Sequence, residues 1–358
     1  MSKFYPMTVA QVRQETRDTL VATFAVPETL RDRFAFVQGQ HLTLRAQVNG
    51  EDLRRSYSIC SAVDDGDLRV AIKRVAGGLF STWANDTLKP GMAIEVMPPM
   101  GHFHLPLDAR QPRRYLAFAA GSGITPILSI LKTTLRREPQ SQFTLVYGNR
   151  ASSAVIFREE IAELKDLYPE RLNLVYVMSR EQQDIDLFNG RITREKCEQL
   201  FAQWIPVADH DAAFVCGPES MMHEVRAALE AHGMPKEAIK VELFAASIPK
   251  KTQAAHTRAL VGQQECEVTV VMDGAQRSFS MTKDKESVLD AALGQGIDLR
   301  YACKGGVCAT CRCKVLEGKV EMDANFALED YEIARGFVLS CQAFPVSDRV
   351  VLDFDQDS

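Results

Sequence analysis

The chain of 358 residues lacks the segments that would direct it into or across a membrane. Its first residues, MSKFYPMTVAQV, contain no apolar stretch of a secretory signal, and no apolar run approaches the ~18 residues that a membrane-spanning helix needs. The nine cysteines are an odd number in a chain without such a leader, which argues against a framework of disulfides. We therefore expect a cytoplasmic protein whose thiols are kept reduced.

The sequence also lacks internal repeats, low-complexity tracts and an excess of positive charge, its net charge being −5. The negative charge is concentrated at one end: residues 265–358 contain 17 Asp and Glu against 10 Lys and Arg, whereas residues 1–264 contain 30 against 32. This distribution argues against nucleic-acid binding. It fits either electrostatic docking of the acidic segment on a protein partner or an acidic domain that is merely soluble.

The hydrophobic pattern divides the chain into segments of different type. Residues 1–108 contain short runs of β-forming residues separated by turn signals, which predicts an antiparallel barrel with one short helix at about Ser81–Leu88. Residues 113–245 alternate apolar strands with amphipathic helices, which is typical of a parallel α/β sheet. Residues 246–264 are predicted to be a linker, and residues 265–358 resume with strands, a helix near Ser287–Gly294 and a cysteine-rich loop.

Four cysteines of the last segment have the spacing of a plant-type [2Fe–2S] cluster. Cys303, Cys308 and Cys311 form C-x4-C-x2-C, and Cys341 follows at a distance. Two irons bridged by two sulfides need four thiolates, and this spacing supplies them. The alternative is a structural zinc site or a set of buried thiols, in which case the chain would be a non-enzymatic module; zinc, however, favours CxxC pairs.

Two short motifs in the first segment predict a flavin site. Arg55, Tyr57 and Ser58 offer a cation for a pyrophosphate, an aromatic face for a ring system and a hydroxyl near a reactive nitrogen. Gly78 and Ser81 stand just before and within a predicted helix, whose N-terminus favours a phosphate. A tyrosine that alternates with an arginine also fits an ordinary packed strand.

The first α/β unit predicts a second nucleotide site. The strand YLAFAA leads into Gly121 and Gly123, and Pro126 suits the first turn of the following helix. The dinucleotide fingerprint G-x-G-x-x-G is absent because Pro126 occupies its last position, so a variant of the nucleotide-binding fold is expected.

Polar residues at later strand ends suggest which nucleotide binds. Arg150 follows the second strand and Ser179-Arg180 the third, where an NAD-specific site would present an acidic residue. Arginines favour a 2′-phosphate and hence NADPH, although they also fit solvated loops. Cys216, Gly217 and Pro218 end the fourth strand, where Cys216 is either at the ligand crevice or an inert buried thiol. Phe244 either covers the flavin face or belongs to the core.

These motifs, in this order, resemble the ferredoxin–NADP reductase superfamily, and the CKGGVCATC loop with Cys341 resembles a fused plant-type ferredoxin domain of β-grasp fold. The domain order is similar to that of the reductases of multicomponent oxygenases. The resemblance implies that Arg55, Tyr57, Ser58, Lys73, Ser81 and Thr125 line FAD. It implies that Arg150, Ser179 and Arg180 hold the 2′-phosphate of NADPH, and that Ser58 and Cys216 flank the hydride-transfer pair.

The resemblance also implies an electron acceptor. NADPH would pass a hydride to FAD, and FAD would pass single electrons to the [2Fe–2S] cluster. The cluster would supply a multisubunit diiron oxygenase that epoxidises the ring of phenylacetyl-CoA. A Rieske dioxygenase, a 3-ketosteroid hydroxylase or a hybrid-cluster protein is the alternative acceptor.

Overall fold

The computed structural model describes residues 4–244, 264–283 and 285–356. They form two compact units: the larger contains residues 4–53 and 57–243, and the smaller contains Arg54–Ser56, Phe244 and the described residues from 264 onward. The predicted linker, 246–264, lies outside the described residues apart from Gln264. None of the helices in the described ranges is long and apolar enough to cross a membrane.

The first part of the larger unit is the predicted antiparallel barrel. Its residues alternate between the interior and the surface, as in Tyr5–Thr16, whose Tyr5, Met7 and Val9 are buried. The strands follow the order β4-β3-β6-β1-β2-β5, and a bridge between Ile59 and Val70 joins the two ends of this order. The elements are β1 (Tyr5–Thr16), β2 (Thr19–Ala25), β3 (His41–Val48), β4 (Glu51–Ser58), β5 (Leu68–Lys73), α1 (Leu79–Thr87) and β6 (Ala93–Val96).

The second part of the larger unit is a five-stranded parallel sheet in the order β11-β10-β7-β8-β9. Its central strands are apolar along their length because helices cover both faces. The elements are β7 (Arg114–Ala120), α2 (Ile124–Arg137), β8 (Gln142–Asn149), α3 (Arg158–Leu167), β9 (Leu172–Met178), α4 (Arg194–Gln203), β10 (Ala212–Gly217), α5 (Glu219–Ala231) and β11 (Ile239–Leu243). This order places the carboxyl ends of β7, β8 and β10 side by side.

The smaller unit is a mixed sheet in the order β13-β12-β18-β14-β16, in which β12 and β18 are parallel and the other pairs antiparallel. Its first helix begins where Ser287 accepts a hydrogen bond from the Asp290 N–H, as a helix N-cap does. The elements are β12 (Glu265–Met272), β13 (Ala275–Thr282), α6 (Val288–Gly294), β14 (Arg312–Glu317), β15 (Val320–Met322), α7 (Asp330–Ala334), β16 (Phe337–Leu339), β17 (Ala343–Pro345) and β18 (Arg349–Asp353).

The fold class predicted from the sequence is confirmed, and one helix boundary differs. The helix expected at about Ser81–Leu88 begins at Leu79 and ends at Thr87. It starts earlier because the Ser81 hydroxyl accepts a hydrogen bond from the Val75 N–H and donates one to the Gly78 carbonyl, which folds the preceding loop onto the first turn.

Candidate redox site

The three residues predicted to contact a flavin lie at the end of β4. Arg55 is exposed, Tyr57 is half-buried and Ser58 is buried. The ring of Tyr57 packs on Phe80 of α1, with 5.7 Å between ring centroids. An aromatic ring held in this way suits the ring system of a flavin, and an exposed guanidinium suits the pyrophosphate of a flavin dinucleotide.

Ser81, a predicted FAD ligand in the first turn of α1, holds the loop that precedes this helix. Ser81 is buried, and its hydroxyl makes the two hydrogen bonds to Val75 and Gly78 that shape the loop. A Cβ on Gly78 would lie 2.7 Å from Ser81 Oγ, so a side chain does not fit there. That Ser81 lines FAD stays a prediction, and its hydroxyl additionally holds the loop before α1.

Ser58 meets a carboxylate that the sequence analysis gave no role. Its Oγ donates to Glu242 Oε2 of β11 at 3.1 Å. Glu242 in turn stands in register with Cys216 of β10. Burial, with a smaller contribution from the Glu242 charge, raises the pKa of the Cys216 thiol well above its usual range. The structure therefore brings Ser58 to Glu242, and Glu242 beside a Cys216 that is protonated at neutral pH.

The turn after β7 approaches both the barrel and β10. A Cβ on Gly123 would lie 2.1 Å from the Cys216 carbonyl oxygen, so a glycine is required for this close approach. A Cβ on Gly121 would lie 3.7 Å from Lys73 Nζ, which places the ammonium group of β5 beside the turn. Thr125 is buried and donates to the Ser122 carbonyl at 3.0 Å. Lys73 Nζ, the two glycines of the turn and the N-terminus of α2 therefore lie close together, an arrangement that suits a pyrophosphate.

The two arginines predicted to bind the 2′-phosphate lie on adjacent chain segments. Beyond the ends of β8 and β9 the backbones stay paired: the Ser179 N–H donates to Asn149 and the Arg180 N–H donates to Arg150, at 2.9 and 2.8 Å. Both arginines are exposed, and Ser179 is half-buried. The structure therefore brings the three predicted residues together.

An acidic residue that the sequence analysis left without a role follows directly. Glu181 accepts the Ser152 N–H at 2.7 Å and also the Ser152 hydroxyl. These hydrogen bonds lower the pKa of Glu181, which is therefore ionised at neutral pH. Both carboxylate oxygens are engaged by the protein, which ties the loop after β8 to the loop after β9.

Gly217, Pro218 and Phe244 lie at the carboxyl ends of the sheet strands. Gly217 ends β10, Pro218 is the N-cap of α5, and the half-buried Phe244 follows β11. A Cβ on Gly217 would lie 2.6 Å from Met221 Cε, so the start of α5 packs closely on this strand end. These positions agree with a ligand crevice at the carboxyl edge of the sheet.

The four cysteines predicted to bind the cluster, which are four of the six in the described part of the smaller unit, lie in two interacting pairs. The Cys308 thiol, together with burial, raises the pKa of Cys303, and the Cys341 thiol, together with burial, raises the pKa of Cys311, so the members of each pair are close enough to interact. Within the described ranges, no group of three or more His, Cys, Asp or Glu side chains is placed to hold a metal ion. The four thiols would hold a [2Fe–2S] cluster, which needs four thiolate ligands in total.

Backbone N–H groups of the cysteine loop point at the sulfurs. The Gly305 N–H donates to Cys303 Sγ at 3.3 Å, and the Gly306 N–H donates to Cys341. Gly306 has φ of +75°, and a Cβ there would lie 2.9 Å from the Ala324 carbonyl oxygen. Cys313, two residues beyond Cys311, is buried, and its thiol donates to the Val338 carbonyl at 3.8 Å.

Comparison with known families finds three matches in the order of the segments. Residues 6–105 match the model of an oxidoreductase FAD-binding domain, residues 118–227 that of an oxidoreductase NAD-binding domain, and residues 270–346 that of a 2Fe-2S iron-sulfur cluster binding domain. The chain therefore has an FAD domain, an NAD domain and a [2Fe–2S] domain, and the residues described above fit these cofactors.

Full-length relatives share this arrangement. The chain is 50% identical over 355 residues, covering 99% of both chains, to a protein named as a subunit of 1,2-phenylacetyl-CoA epoxidase in Escherichia coli (strain K12). It is 37% identical, covering 97% of this chain and 96% of the relative, to the ferredoxin reductase component of 3-ketosteroid-9-alpha-monooxygenase of Rhodococcus rhodochrous. The solved structure of phthalate dioxygenase reductase covers 98% of both chains with a TM-score of 0.56 at 24% identity, which shows the same fold.

The matched domains and the relatives agree on the type of protein. An FAD domain, an NAD domain and a [2Fe–2S] domain together make an NAD(P)H-dependent oxidoreductase. The chain belongs to the ferredoxin–NADP reductase superfamily, among the oxygenase reductase components that carry a C-terminal [2Fe–2S] domain.

Proposed function

We propose that this reductase takes electrons from NADPH in the reducing cytoplasm and delivers them to a multisubunit diiron oxygenase that epoxidises phenylacetyl-CoA. The observation that carries the proposal is the 50% identity, over 99% of both chains, to a protein named as part of a 1,2-phenylacetyl-CoA epoxidase. A relative that supplies a 3-ketosteroid monooxygenase is 37% identical, which makes that acceptor the second candidate.

Cys303, Cys308, Cys311 and Cys341 are the proposed ligands of the [2Fe–2S] cluster. Their two thiol pairs and the N–H groups of Gly305 and Gly306 support this assignment. When bound, FAD would supply the conversion between the two-electron chemistry of a hydride donor and the one-electron chemistry of a [2Fe–2S] cluster.

The protein's part in hydride transfer is to hold the reacting rings and a hydroxyl in place. Ser58 is the proposed catalytic hydroxyl, and Glu242 fixes its direction by accepting a hydrogen bond from it at 3.1 Å. Cys216, protonated and fully buried, offers a small apolar surface at the same strand ends. Tyr57, packed on Phe80, supplies a rigid face for the flavin.

The preference for NADPH rests on Arg150 and Arg180. Two exposed guanidinium groups on paired segments can bind a 2′-phosphate with several charge-assisted hydrogen bonds. Each such bond contributes about 1.5–3 kcal/mol. NADH has a hydroxyl at that position, so it would lose most of this interaction.

The acceptor is tested by reconstitution. The purified reductase, reduced with NADPH, is mixed with the purified oxygenase subunits of a phenylacetyl-CoA epoxidase or of a 3-ketosteroid monooxygenase, and product formation is measured under equal conditions. Turnover with the epoxidase at a rate well above that with the steroid enzyme is expected. The reverse order would make the second candidate the function.

The nucleotide assignment is tested with the double variant Arg150→Ala, Arg180→Ala. The KM for NADPH is expected to rise at least tenfold in steady-state flavin reduction, while the KM for NADH changes little. Arg226→Ala, which removes a half-buried arginine paired with Glu230 on α5, serves as the matched control. Equal changes in both KM values would contradict the phosphate assignment.

A further inference from the structure

The residue after the fourth cysteine connects the two segments that carry the thiols. Gln342 Nε2 lies 3.0 Å from the Lys304 carbonyl oxygen, in the loop between Cys303 and Cys308. The same nitrogen lies 2.9 Å from the Cys341 carbonyl oxygen and 3.8 Å from Cys341 Sγ. One amide nitrogen therefore joins the cysteine loop to the Cys341 segment and also contacts a thiol sulfur.

The position of this side chain is fixed by its surroundings. A Cβ on Gly306 would lie 3.2 Å from Gln342 Cγ, so the stem of Gln342 packs over that glycine. The backbone of Gln342 is held on both sides, since its N–H donates to Leu339 at 2.8 Å and its carbonyl accepts the Asp323 N–H at 3.0 Å. The half-buried amide thus meets the sulfur in a defined orientation rather than as a mobile surface group.

The dipole of the Gln342 amide affects the reduction potential of a cluster bound through Cys341. One-electron reduction adds a negative charge to the cluster and its thiolates. The positive hydrogen end of the amide dipole stabilises the more negative state, so it favours reduction. The amide has two hydrogens for three acceptors, and the two short bonds go to carbonyl oxygens. The contact with sulfur is therefore the weaker one, and its effect on the potential is moderate.

We propose that Gln342 is a positioning and potential-setting residue for the [2Fe–2S] cluster. Its amide ties the loop of Cys303, Cys308 and Cys311 to the segment of Cys341, which slows loss of the cluster. Its N–H also raises the reduction potential through Cys341 Sγ. This inference rests on the cluster ligation proposed above.

The test uses the full-length protein with its cofactors and two variants of nearly equal size. Gln342→Met removes both N–H groups while keeping the stem over Gly306, and Gln342→Glu removes them and adds a negative charge. Gln295→Met is the matched control. Gln295 is the C-cap residue of α6, and its Nε2 also donates to a backbone carbonyl, that of Ser280 at 2.9 Å. The midpoint potential is measured by redox titration followed by the electron paramagnetic resonance of the reduced cluster.

The expected order of midpoint potentials is wild type, then Gln342→Met, then Gln342→Glu as the lowest. The equilibrium constant for cluster reduction should fall up to tenfold in Gln342→Met, and tenfold is about 59 mV for one electron. Release of iron to a chelator, followed by visible absorbance, should be several-fold faster in both variants, with the control unchanged.

Each other outcome counts against the proposal. Unchanged potentials with faster iron release would make Gln342 a purely structural residue. Failure of a folded variant to assemble a cluster would also overturn the proposal, because four thiolates should suffice for assembly. If the wild-type protein itself gave no [2Fe–2S] signal, the ligation would be wrong rather than the role of Gln342.

Discussion

A buried lysine connects the barrel to the parallel sheet within the larger unit, and its removal should be costly. Lys132 of α2 has 5% of its side chain exposed. Its Nζ donates to Asp65 of the barrel at 2.6 Å and to Glu160 of α3 at 2.5 Å. Arg69 of β5 also contacts both carboxylates, at 3.1 and 3.3 Å. The Lys132→Met variant keeps the apolar stem and removes the charge from the centre of this network.

The loss in free energy of unfolding depends on which ion pairs remain after the Lys132→Met substitution. Removing one partner of a buried ion pair costs about 3–5 kcal/mol, because a carboxylate is left without its counter-charge. Arg69 and Arg136 still contact Asp65, so the lower end of this range applies. At roughly 2–4 °C per kcal/mol for a unit of this size, the unfolding temperature should fall by about 6–12 °C.

The assay is thermal unfolding of the cofactor-loaded protein followed by circular dichroism. The matched control is Arg110→Met, since Arg110 is 90% exposed in its contact with Asp108 and solvent-exposed ion pairs add little to stability. A shift for Lys132→Met that does not exceed the shift of this control would refute the reasoning, because the network would then contribute no more than a surface pair.

Acid titration supplies an independent check of the same network. Burial of Asp65 opposes its ionisation, but hydrogen bonds from Lys132 and Arg136 outweigh it and lower its pKa below the ordinary range. Because the pKa of Asp65 is lower in the folded than in the unfolded protein, its ionisation stabilises the fold when the pH is above the unfolded pKa of about 3.9. This stabilisation is lost as the pH falls toward the folded pKa. The difference in unfolding temperature between wild type and Asp65→Asn should therefore be smaller at pH 3 than at pH 6. A constant difference would contradict this assignment.

The remaining predictions concern electron transfer. Ser58→Ala should keep FAD and slow the reduction of FAD by NADPH at least tenfold in stopped-flow absorbance. Glu242→Gln should give a smaller loss of rate, because the amide oxygen still accepts a hydrogen bond from Ser58. Equal rates in the wild type and both variants would exclude this pair from catalysis. Cys308→Ser should keep reduction of the flavin by NADPH but lose the visible absorption of the cluster and transfer to the oxygenase, whereas Cys313→Ala should retain both. Unchanged transfer in Cys308→Ser would contradict the proposed route.

Local patterns were sufficient to predict the class of each segment and several of its residues. The alternation in Tyr5–Thr16 and the apolar strands of the parallel sheet depend on neighbours in sequence, so their periods predict the elements directly. The spacing of Cys303, Cys308 and Cys311 is likewise local, and it predicts a cluster before any fold is known. The start of α1 lies at Leu79 instead of the predicted Ser81, because the Ser81 hydroxyl accepts a hydrogen bond from Val75 in the loop before the helix.

Other features depend on residues that are distant in sequence, and the tertiary structure alone decides them. Glu242 is 184 positions from Ser58, and no period or motif connects them until β11 lies beside the end of the barrel strand. Lys132 and Asp65 are 67 positions apart, and Gln342 reaches the Lys304 carbonyl across 38. A hydrogen bond requires atoms within about 3 Å, and the chain meets that condition between remote segments only after it has folded. The sequence thus determined that this protein has an FAD domain, an NAD domain and a [2Fe–2S] domain, because their motifs are local, whereas the tertiary structure decided which remote side chains meet.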